Sequence, residues 1–258
     1  MAFKTRCFGM TDVGRARQKN EDNFILVPNE GLYVVADGMG GHASGRLASS
    51  LAVKYITEYV CLQSKRPDFS PAYARESSIT EPAFVLSSGI RHANERIYIE
   101  ACKNPAHEGM GTTVVAIRDP GDDHLILAHA GDSRIYRFRD SSLSQVTEDH
   151  SLLNHLLNTG KLKPEEAESF PNKNVIFRAL GLKDDVQVDT QRIPKRAGDL
   201  YMMCSDGLSD LIDDWAMGEL LEGAFKDLRA TCKSLIDLAN RNGGTDNITV
   251  VILLIEGT

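Results

Sequence analysis

Short apolar runs alternate along the chain with turn-forming residues, and this pattern predicts many β-strands. Each run is five to eight residues long, and most are bounded by Gly, Pro, Asp or Ser, as is typical of strands. The runs are residues 23–27, 32–36, 112–118, 124–130, 134–138, 186–193, 200–204 and 248–255. Most are joined by short polar turns such as 119–123 and 139–142, so we expect antiparallel pairing.

Other segments place apolar residues at helical spacing instead. Three long helices are predicted at residues 45–61, 82–103 and 226–242, and two shorter ones at 151–159 and 164–169. An amphipathic helix buries its apolar face against another element, and each face of a sheet needs a cover. We therefore predict an α+β fold: a four-layer α-β-β-α sandwich with two central antiparallel sheets flanked by helices and a flap subdomain.

The chain of 258 residues contains no low-complexity linker, which favours one domain over residues 1–258. Within it, about 151–174 is predicted to form the flap, and 63–80 is a loop-like insertion of unassigned role. The formal charge of −7 argues against coating nucleic acid, since phosphate backbones are bound by clustered Lys and Arg. We expect no nucleic-acid partner.

Cysteine usage and the absence of long apolar runs indicate where in the cell the protein is located. The five cysteines are widely spaced and form no CxxC pair, so neither a disulfide framework nor a zinc knuckle is indicated. No apolar run approaches the length that crosses a bilayer, and residues 1–12 have no signal-peptide core. We predict a cytoplasmic protein that does not bind membranes, and a monomer.

Aspartates recur at the ends of the apolar strands. Asp37, Asp132 and Asp206 follow strands, and Asp246 precedes one. A single Asp-Gly pair is typical of a turn. A turn explains the recurrence poorly, because carboxylates that meet at one sheet edge repel one another unless a cation is present. All-oxygen ligands favour Mg²⁺ or Mn²⁺ over zinc.

Other chemistries have weaker support. Gly38, Gly40 and Ala43 spell GxGxxA after a strand, which is a dinucleotide-binding pattern, but Asp37 would place negative charge beside a pyrophosphate. No Walker A loop and no GxSxG motif occur. The thiolate phosphatase pattern of Cys, five residues and Arg is missing after Cys204, so we expect a buried core cysteine rather than a nucleophile.

Eight motifs occur in an order that resembles a known family. They are RQKNEDN at 17–23, VVADGMGGH at 34–42, GMGTTVV at 109–115, AGDSRIY at 130–136, TEDHS at 147–151, RALG at 178–181, CSDGLSD at 204–210 and GTDNITV at 244–250. Together they resemble the metal-dependent protein phosphatase family, type 2C, in its bacterial form. The resemblance covers nearly the whole chain.

The resemblance implies a site of two Mn²⁺ or Mg²⁺ ions and a weaker third ion. Asp37 would bridge the two core ions, and the Gly38 carbonyl would bind one of them. Asp206 and Asp246 would complete the protein ligands of the first ion. Asp132, with Asp206, would hold the third ion.

The resemblance also implies a reaction and its partners. Arg17 would bind the substrate phosphate. Three further residues, Glu21, Asp22 and Asn247, would lie behind the metal ligands, and the two acids among them would orient metal-bound waters. A hydroxide shared by the two ions, with Asp37 and Asp206 as ligands, would attack phosphorus directly. The implied substrates are phosphoserine and phosphothreonine in proteins, and the implied opposing partner is a Ser/Thr protein kinase.

One departure leaves the proton donor open. Eukaryotic relatives carry a histidine after the Asp-Gly pair, proposed as the acid for the leaving alcohol, whereas this chain has Met39. Metal-bound water is our hypothesis, and His42 is the alternative. A catalytically weak pseudophosphatase that binds phosphopeptides or a kinase is the alternative function. The presence of Arg17 and of four aspartates, Asp37, Asp132, Asp206 and Asp246, argues against this alternative.

Overall fold

The structure of the protein is a computed structural model that describes residues 3–40, 44–64, 81–167, 170–171 and 175–257. His42 and most of the 63–80 insertion therefore lie outside the described residues, as do parts of the predicted flap. All of the other predicted site residues lie within them.

Two antiparallel five-stranded sheets form the centre of the molecule. The strands are β1 Phe3–Asp12, β2 Asn23–Val27, β3 Leu32–Ala36, β4 Gly38–Met39, β5 Gly111–Thr112, β6 Val114–Arg118, β7 His124–Ala130, β8 Arg134–Arg139, β9 Ser142–Gln145, β10 Asp189–Pro194, β11 Leu200–Cys204 and β12 Ile248–Gly257. Sheet I has the order β1-β12-β11-β8-β9, and sheet II has the order β10-β7-β6-β3-β2. The short strands β4 and β5 pair separately beside them.

The described α-helices are α1 Ser44–Ser64, α2 Glu81–Lys103, α3 Leu152–Asn158, α4 Asp206–Ser209, α5 Asp214–Leu221 and α6 Leu228–Arg241. Five of the six described helices cover the outer faces of the sheets, and the other, α3, lies in the flap. The first two bury their apolar faces on sheet II, and the last three bury theirs on sheet I. A third core, with Tyr33, Val115 and Leu253 among its members, fills the space between the sheets. The predicted four-layer sandwich is confirmed.

The described elements match the sequence pattern closely in the core and less well at the edges. The predicted strands at β2, β3, β7 and β11 agree to the residue. The pattern missed β1 and β9, since both are edge strands whose positions are mostly half-buried or exposed. It also missed α5. The strand predicted at 186–193 instead begins at Asp189 and ends at Pro194, and it pairs with β7.

The flap leaves and rejoins the sandwich beside sheet II. Ser151 and Ile176 form an antiparallel bridge, and Leu152 N–H donates to Val175 O over 2.7 Å. Between them lie α3 and a 3₁₀ turn at Pro164–Glu166, where the sequence predicted helix over 164–169. No helix in the described parts of the chain is both long and apolar enough to span a membrane.

Leu253→Ala tests how much the apolar core between the two sheets contributes to the free energy of unfolding. Leu253 is fully buried. We expect its truncation to lower the free energy of unfolding by about 2–5 kcal/mol, because a cavity remains in a packed core. Urea unfolding measures this change. Leu62→Ala, at a leucine with 56% of its surface exposed, is the matched control and should change stability by less than about 0.5 kcal/mol. Equal losses in the two variants would contradict this assignment of the core.

Candidate metal centre

Four aspartates meet in one cleft because each stands at the end of a strand. Asp37 follows β3 and Asp132 follows β7, so both extend from sheet II. Asp206 follows β11 and Asp246 precedes β12, so both extend from sheet I. All four line a cleft of about 240 Å³. The sandwich thus gathers carboxylates that are distant along the chain.

The cleft contains most of the residues that the sequence singled out. Its lining also includes Arg17, Glu21, Gly38, Met39, Gly40, Thr113, Ile176 and Asn247. Asp22 is buried behind this lining. His42 lies outside the described residues, so its position relative to the cleft stays a prediction.

Glycines after two of the aspartates allow the backbones around the cleft to approach closely. A Cβ at Gly207 would lie 2.0 Å from the Asn247 carbonyl oxygen. A Cβ at Gly38 would lie 2.1 Å from the Gly45 carbonyl oxygen, at the start of α1. Packing therefore requires glycine at residue 38. That requirement is separate from the predicted role of its carbonyl as an ion ligand.

Asp22 ties sheet I to the loop that carries Arg17 and Glu21. Its Oδ2 accepts hydrogen bonds from Ser205 Oγ over 2.8 Å and from Thr249 Oγ1 over 2.6 Å. Ser205 is next to Asp206, and Thr249 lies in β12. Burial raises the pKa of Asp22 despite these bonds. Its other oxygen, Oδ1, has no hydrogen-bond partner among the described residues.

Asn247 fixes the same loop through its side-chain amide. Its Oδ1 accepts from Glu21 N–H over 2.8 Å, and its Nδ2 donates to Val13 O over 2.9 Å and to Lys19 O over 3.0 Å. Asp246 precedes it directly in the chain. The position of the Asp246 carboxylate and that of the Glu21 backbone are therefore set together.

Arg17 reaches the cleft from the side. Its Nη2 donates to Asp246 Oδ2 over 2.7 Å, and 53% of its side chain is exposed. This hydrogen bond, followed by the negative charge of Asp246, raises the pKa of the guanidinium. Arg17 thus presents a fixed positive charge at the mouth of an acidic cleft.

The carboxylates of the cleft are strained electrostatically. Burial, then the charge of Asp132, raises the pKa of Asp206 to about 7. Burial, then the charge of Asp149, raises the pKa of Asp132 to about 6. Burial, then the charges of Asp22 and Asp206, raises the pKa of Asp37 well above its usual range. A cation in the cleft would reverse these shifts.

The donor set of the cleft fits hard divalent cations. Oδ1 of Asp206 is buried and has no hydrogen-bond partner within the described part of the chain. Buried polar atoms without partners are costly unless a ligand satisfies them. The acidic residues of the lining offer oxygen atoms, which suit Mg²⁺ or Mn²⁺.

Two rival chemistries do not fit the structure. Cys204 is fully buried, and burial raises the pKa of its thiol to about 12, so it is a core residue and not a thiolate nucleophile. The dinucleotide-binding pattern needs a parallel strand–helix–strand unit. Its strand, β3, pairs antiparallel with both of its neighbours.

The sequence reasoning missed two contributors to the cleft. Thr113 Oγ1 accepts from Asp37 N–H over 3.2 Å, and Thr113 N–H donates to Asp37 O over 2.8 Å. Ile176 supplies an apolar wall from the base of the flap. Thr113 lies within the GMGTTVV motif, so its presence there was an available signal. Nothing in the local sequence around Ile176 indicated its place.

Comparison with protein families gives a match over most of the chain. The family model described as protein phosphatase 2C matches residues 14–243. The serine/threonine phosphatase stp of Listeria monocytogenes is 36% identical over 249 residues, which are 94% of this chain and 93% of that protein. The serine/threonine protein phosphatase PstP of Mycobacterium tuberculosis is 38% identical over 242 residues, which are 94% of this chain and 43% of that protein.

Solved structures agree with the sequence match. The crystal structure of the Mycobacterium tuberculosis serine/threonine phosphatase PstP/Ppp superposes with a TM-score of 0.84 at 36% identity and covers 98% of this chain and 99% of that one. A structure of the PstP catalytic domain in complex with two manganese ions has a TM-score of 0.81 at 33% identity and covers 99% of this chain and 100% of that one.

Asp206→Asn tests the repulsion in the cleft when divalent cations are removed with EDTA. In the folded protein Asp206 has a pKa of about 7, whereas in the unfolded chain its pKa is about 4. Folding therefore binds a proton between these values, and the carboxyl lowers the free energy of unfolding as pH rises through that window. The neutral amide should raise the free energy of unfolding at about pH 8 by up to about 4 kcal/mol.

The measurement is urea unfolding followed by circular dichroism across that range of pH. The exposed Asp185→Asn is the matched control and should leave the pH dependence unchanged. An Asp206→Asn variant that is less stable than the parent protein in EDTA at about pH 8 would contradict the repulsion.

Proposed function

Because this chain belongs to the protein phosphatase 2C family, we propose that it is a metal-dependent protein serine/threonine phosphatase. The observation that carries the proposal is the cleft in which four aspartates from two sheets meet beside Arg17. The named relatives are serine/threonine phosphatases, and one neighbouring structure holds two manganese ions. The phosphopeptide-binding pseudophosphatase gains no support from either.

Asp37, Asp206 and Asp246, together with the Gly38 carbonyl, are proposed to hold the two core ions. Asp132, with Asp206, is proposed to hold a third. When bound, such ions supply a water of lowered pKa and offset the negative charge of the phosphoryl oxygens. The carboxylates would orient the ions, and the positive charge of the ions would offset the burial and the mutual repulsion that raise the pKa values of these acids.

Arg17 is proposed to bind the substrate phosphate. A guanidinium offers five N–H donors in a planar fork, and the hydrogen bond to Asp246 uses one of them. A phosphate that enters the cleft meets this fork at the rim and the aspartates at the floor. The bond to Asp246 holds the side chain in place for that contact.

The leaving alkoxide needs a proton, and Met39, which lines the cleft, has none to give. We infer that water in the cleft supplies it. His42 stays the alternative side-chain donor. The substrates are inferred to be phosphoserine and phosphothreonine in proteins. A Ser/Thr kinase as the opposing enzyme, a cytoplasmic location and a monomeric state are further parts of the proposal.

Phosphatase assays with and without Mn²⁺ test the function. The parent protein should hydrolyse p-nitrophenyl phosphate and a phosphothreonine peptide with Mn²⁺, and EDTA should abolish both activities. Arg17→Ala should lower kcat/KM about tenfold to hundredfold, because charged hydrogen bonds to the phosphoryl group are lost. Asp206→Asn should abolish turnover while its fold is retained.

Arg91→Ala, at an exposed arginine of α2, is the matched control and should retain full activity. A parent protein that binds the phosphopeptide but shows no metal-dependent turnover would establish the pseudophosphatase instead. Turnover that is insensitive to EDTA would refute the metal-dependent mechanism.

A further inference from the structure

A buried polar cluster lies behind the turn that carries Asp132. His129 of β7 stacks on His150 with ring centroids 4.5 Å apart, and both residues are buried. Arg178 Nη1 lies 2.8 Å from Asp189 Oδ1 and 2.8 Å from His150 Nε2. The cluster joins sheet II to both ends of the flap. Neither the metal site nor the substrate site accounts for it.

The cluster is not a second metal site, although its composition suggests one. One ligand atom from each of His129, His150 and Asp189 lies within 4.8 Å of the others. The guanidinium of Arg178 already contacts two of these three residues and brings its own positive charge. A cation there would be repelled and would find its ligands engaged.

The hydrogen bonds determine the tautomer of His150. Gly131 N–H donates to His150 Nδ1 over 3.1 Å, so Nδ1 carries no proton. A neutral imidazole then has its proton on Nε2, which donates to Asp189 Oδ2 over 3.2 Å. Arg178 Nη1, which can only donate, directs its hydrogen to Asp189 Oδ1 rather than to this protonated nitrogen. Burial, then the nearby His129 and Arg178, lowers the pKa of His150 to about 4 and keeps the ring neutral. Nδ1 is therefore available as an acceptor.

The partner of Nδ1 is the residue just before Asp132. Gly131 has a φ of +117°, and a Cβ there would lie 2.6 Å from Thr113 Cβ. Its carbonyl accepts from His150 N–H over 3.0 Å, so Gly131 and His150 are bonded in both directions. On the other side of Asp132, Ser133 Oγ lies 2.7 Å from Thr113 Oγ1. Polar contacts thus hold the turn on both sides of Asp132, at Gly131 and at Ser133.

His150 is also the point at which the flap joins the sandwich. Phe177 N–H donates to His150 O over 3.0 Å, one residue beyond the Ser151–Ile176 bridge. A single residue therefore contacts the turn at Asp132 through its ring and the flap through its backbone.

We propose that His150 is a positioning residue, which holds the turn at Gly131–Ser133 through its Nδ1 and thereby sets the affinity of Asp132 for the weakly bound ion. The inference rests on the proposed function, since it takes Asp132 as a ligand of that ion. The inference concerns His150 alone. Measuring ion binding directly distinguishes a failure of this inference from a failure of the proposed function.

Three substitutions separate the hydrogen bond from the packing of the ring. His150→Asn places an amide near the position of Nδ1 and keeps an acceptor for Gly131 N–H. His150→Gln places the amide near the position of Nε2 and leaves Gly131 without its acceptor. His150→Ala removes both. His155→Ala, at an exposed histidine of the flap helix α3, is the matched control.

The measurements are Mn²⁺ titration followed by electron paramagnetic resonance, and hydrogen exchange of the Gly131 amide by NMR. We expect His150→Gln and His150→Ala to lower the Mn²⁺ affinity of the weakest class of site about tenfold. Both variants should also speed hydrogen exchange of the Gly131 amide. His150→Asn should restore both values to within about threefold of the parent protein. His155→Ala should change neither, and Asp132→Asn should abolish the weakest class.

Equal losses in the Asn and Gln variants would overturn the proposal in favour of ring packing. Unchanged Mn²⁺ binding in His150→Gln, with the weakest class lost in Asp132→Asn, would overturn it as well. If His150→Ala does not fold, the comparison of the two amide variants decides the question. A parent protein with no Mn²⁺ binding would instead refute the proposed function, and the role of Asp132 with it.

Discussion

Repulsion among carboxylates at one edge of the sandwich is the constraint on which the rest of this structure depends. Asp37, Asp132 and Asp206 all have raised pKa values, with burial as the largest cause and neighbouring acids next. A folded protein tolerates such a cluster only where its framework is rigid and a counter-charge is at hand. Arg17 supplies one such charge through Asp246, and the oxygen-rich cleft is suited to divalent cations for the rest.

The rigidity comes from the two sheets and from hydrogen bonds that cross between their ends. The inner faces of the sheets share an apolar core, which fixes the distance between strand ends from sheet I and sheet II. Asp22 and Asn247 then tie the loop of Arg17 and Glu21 to the ends of β11 and β12. Glycine at residues 38 and 207 allows backbones to approach where any side chain would collide. Packing and chemistry thus require the same Asp-Gly pairs.

The flap is part of this framework at its base. His150 contacts Gly131 through its ring and Phe177 through its backbone, and Arg178 closes the cluster against Asp189. The same segment places Ile176 in the wall of the cleft. A change at the flap base therefore has a direct route to the turn that carries Asp132, through contacts rather than through distant motion.

The sequence by itself determined the layers of the fold and the chemistry of the cleft. Buried strands such as β3 and β11 are read directly from their apolar runs, and Asp37 and Asp206 stand at their ends. Only the tertiary structure decided which strand ends meet, because β11 pairs with a strand far along the chain, β12, whereas β7 and β8 are neighbours in the chain but lie in different sheets. It also decided the contacts of Ile176 and His150, since these are with distant residues and leave no local pattern.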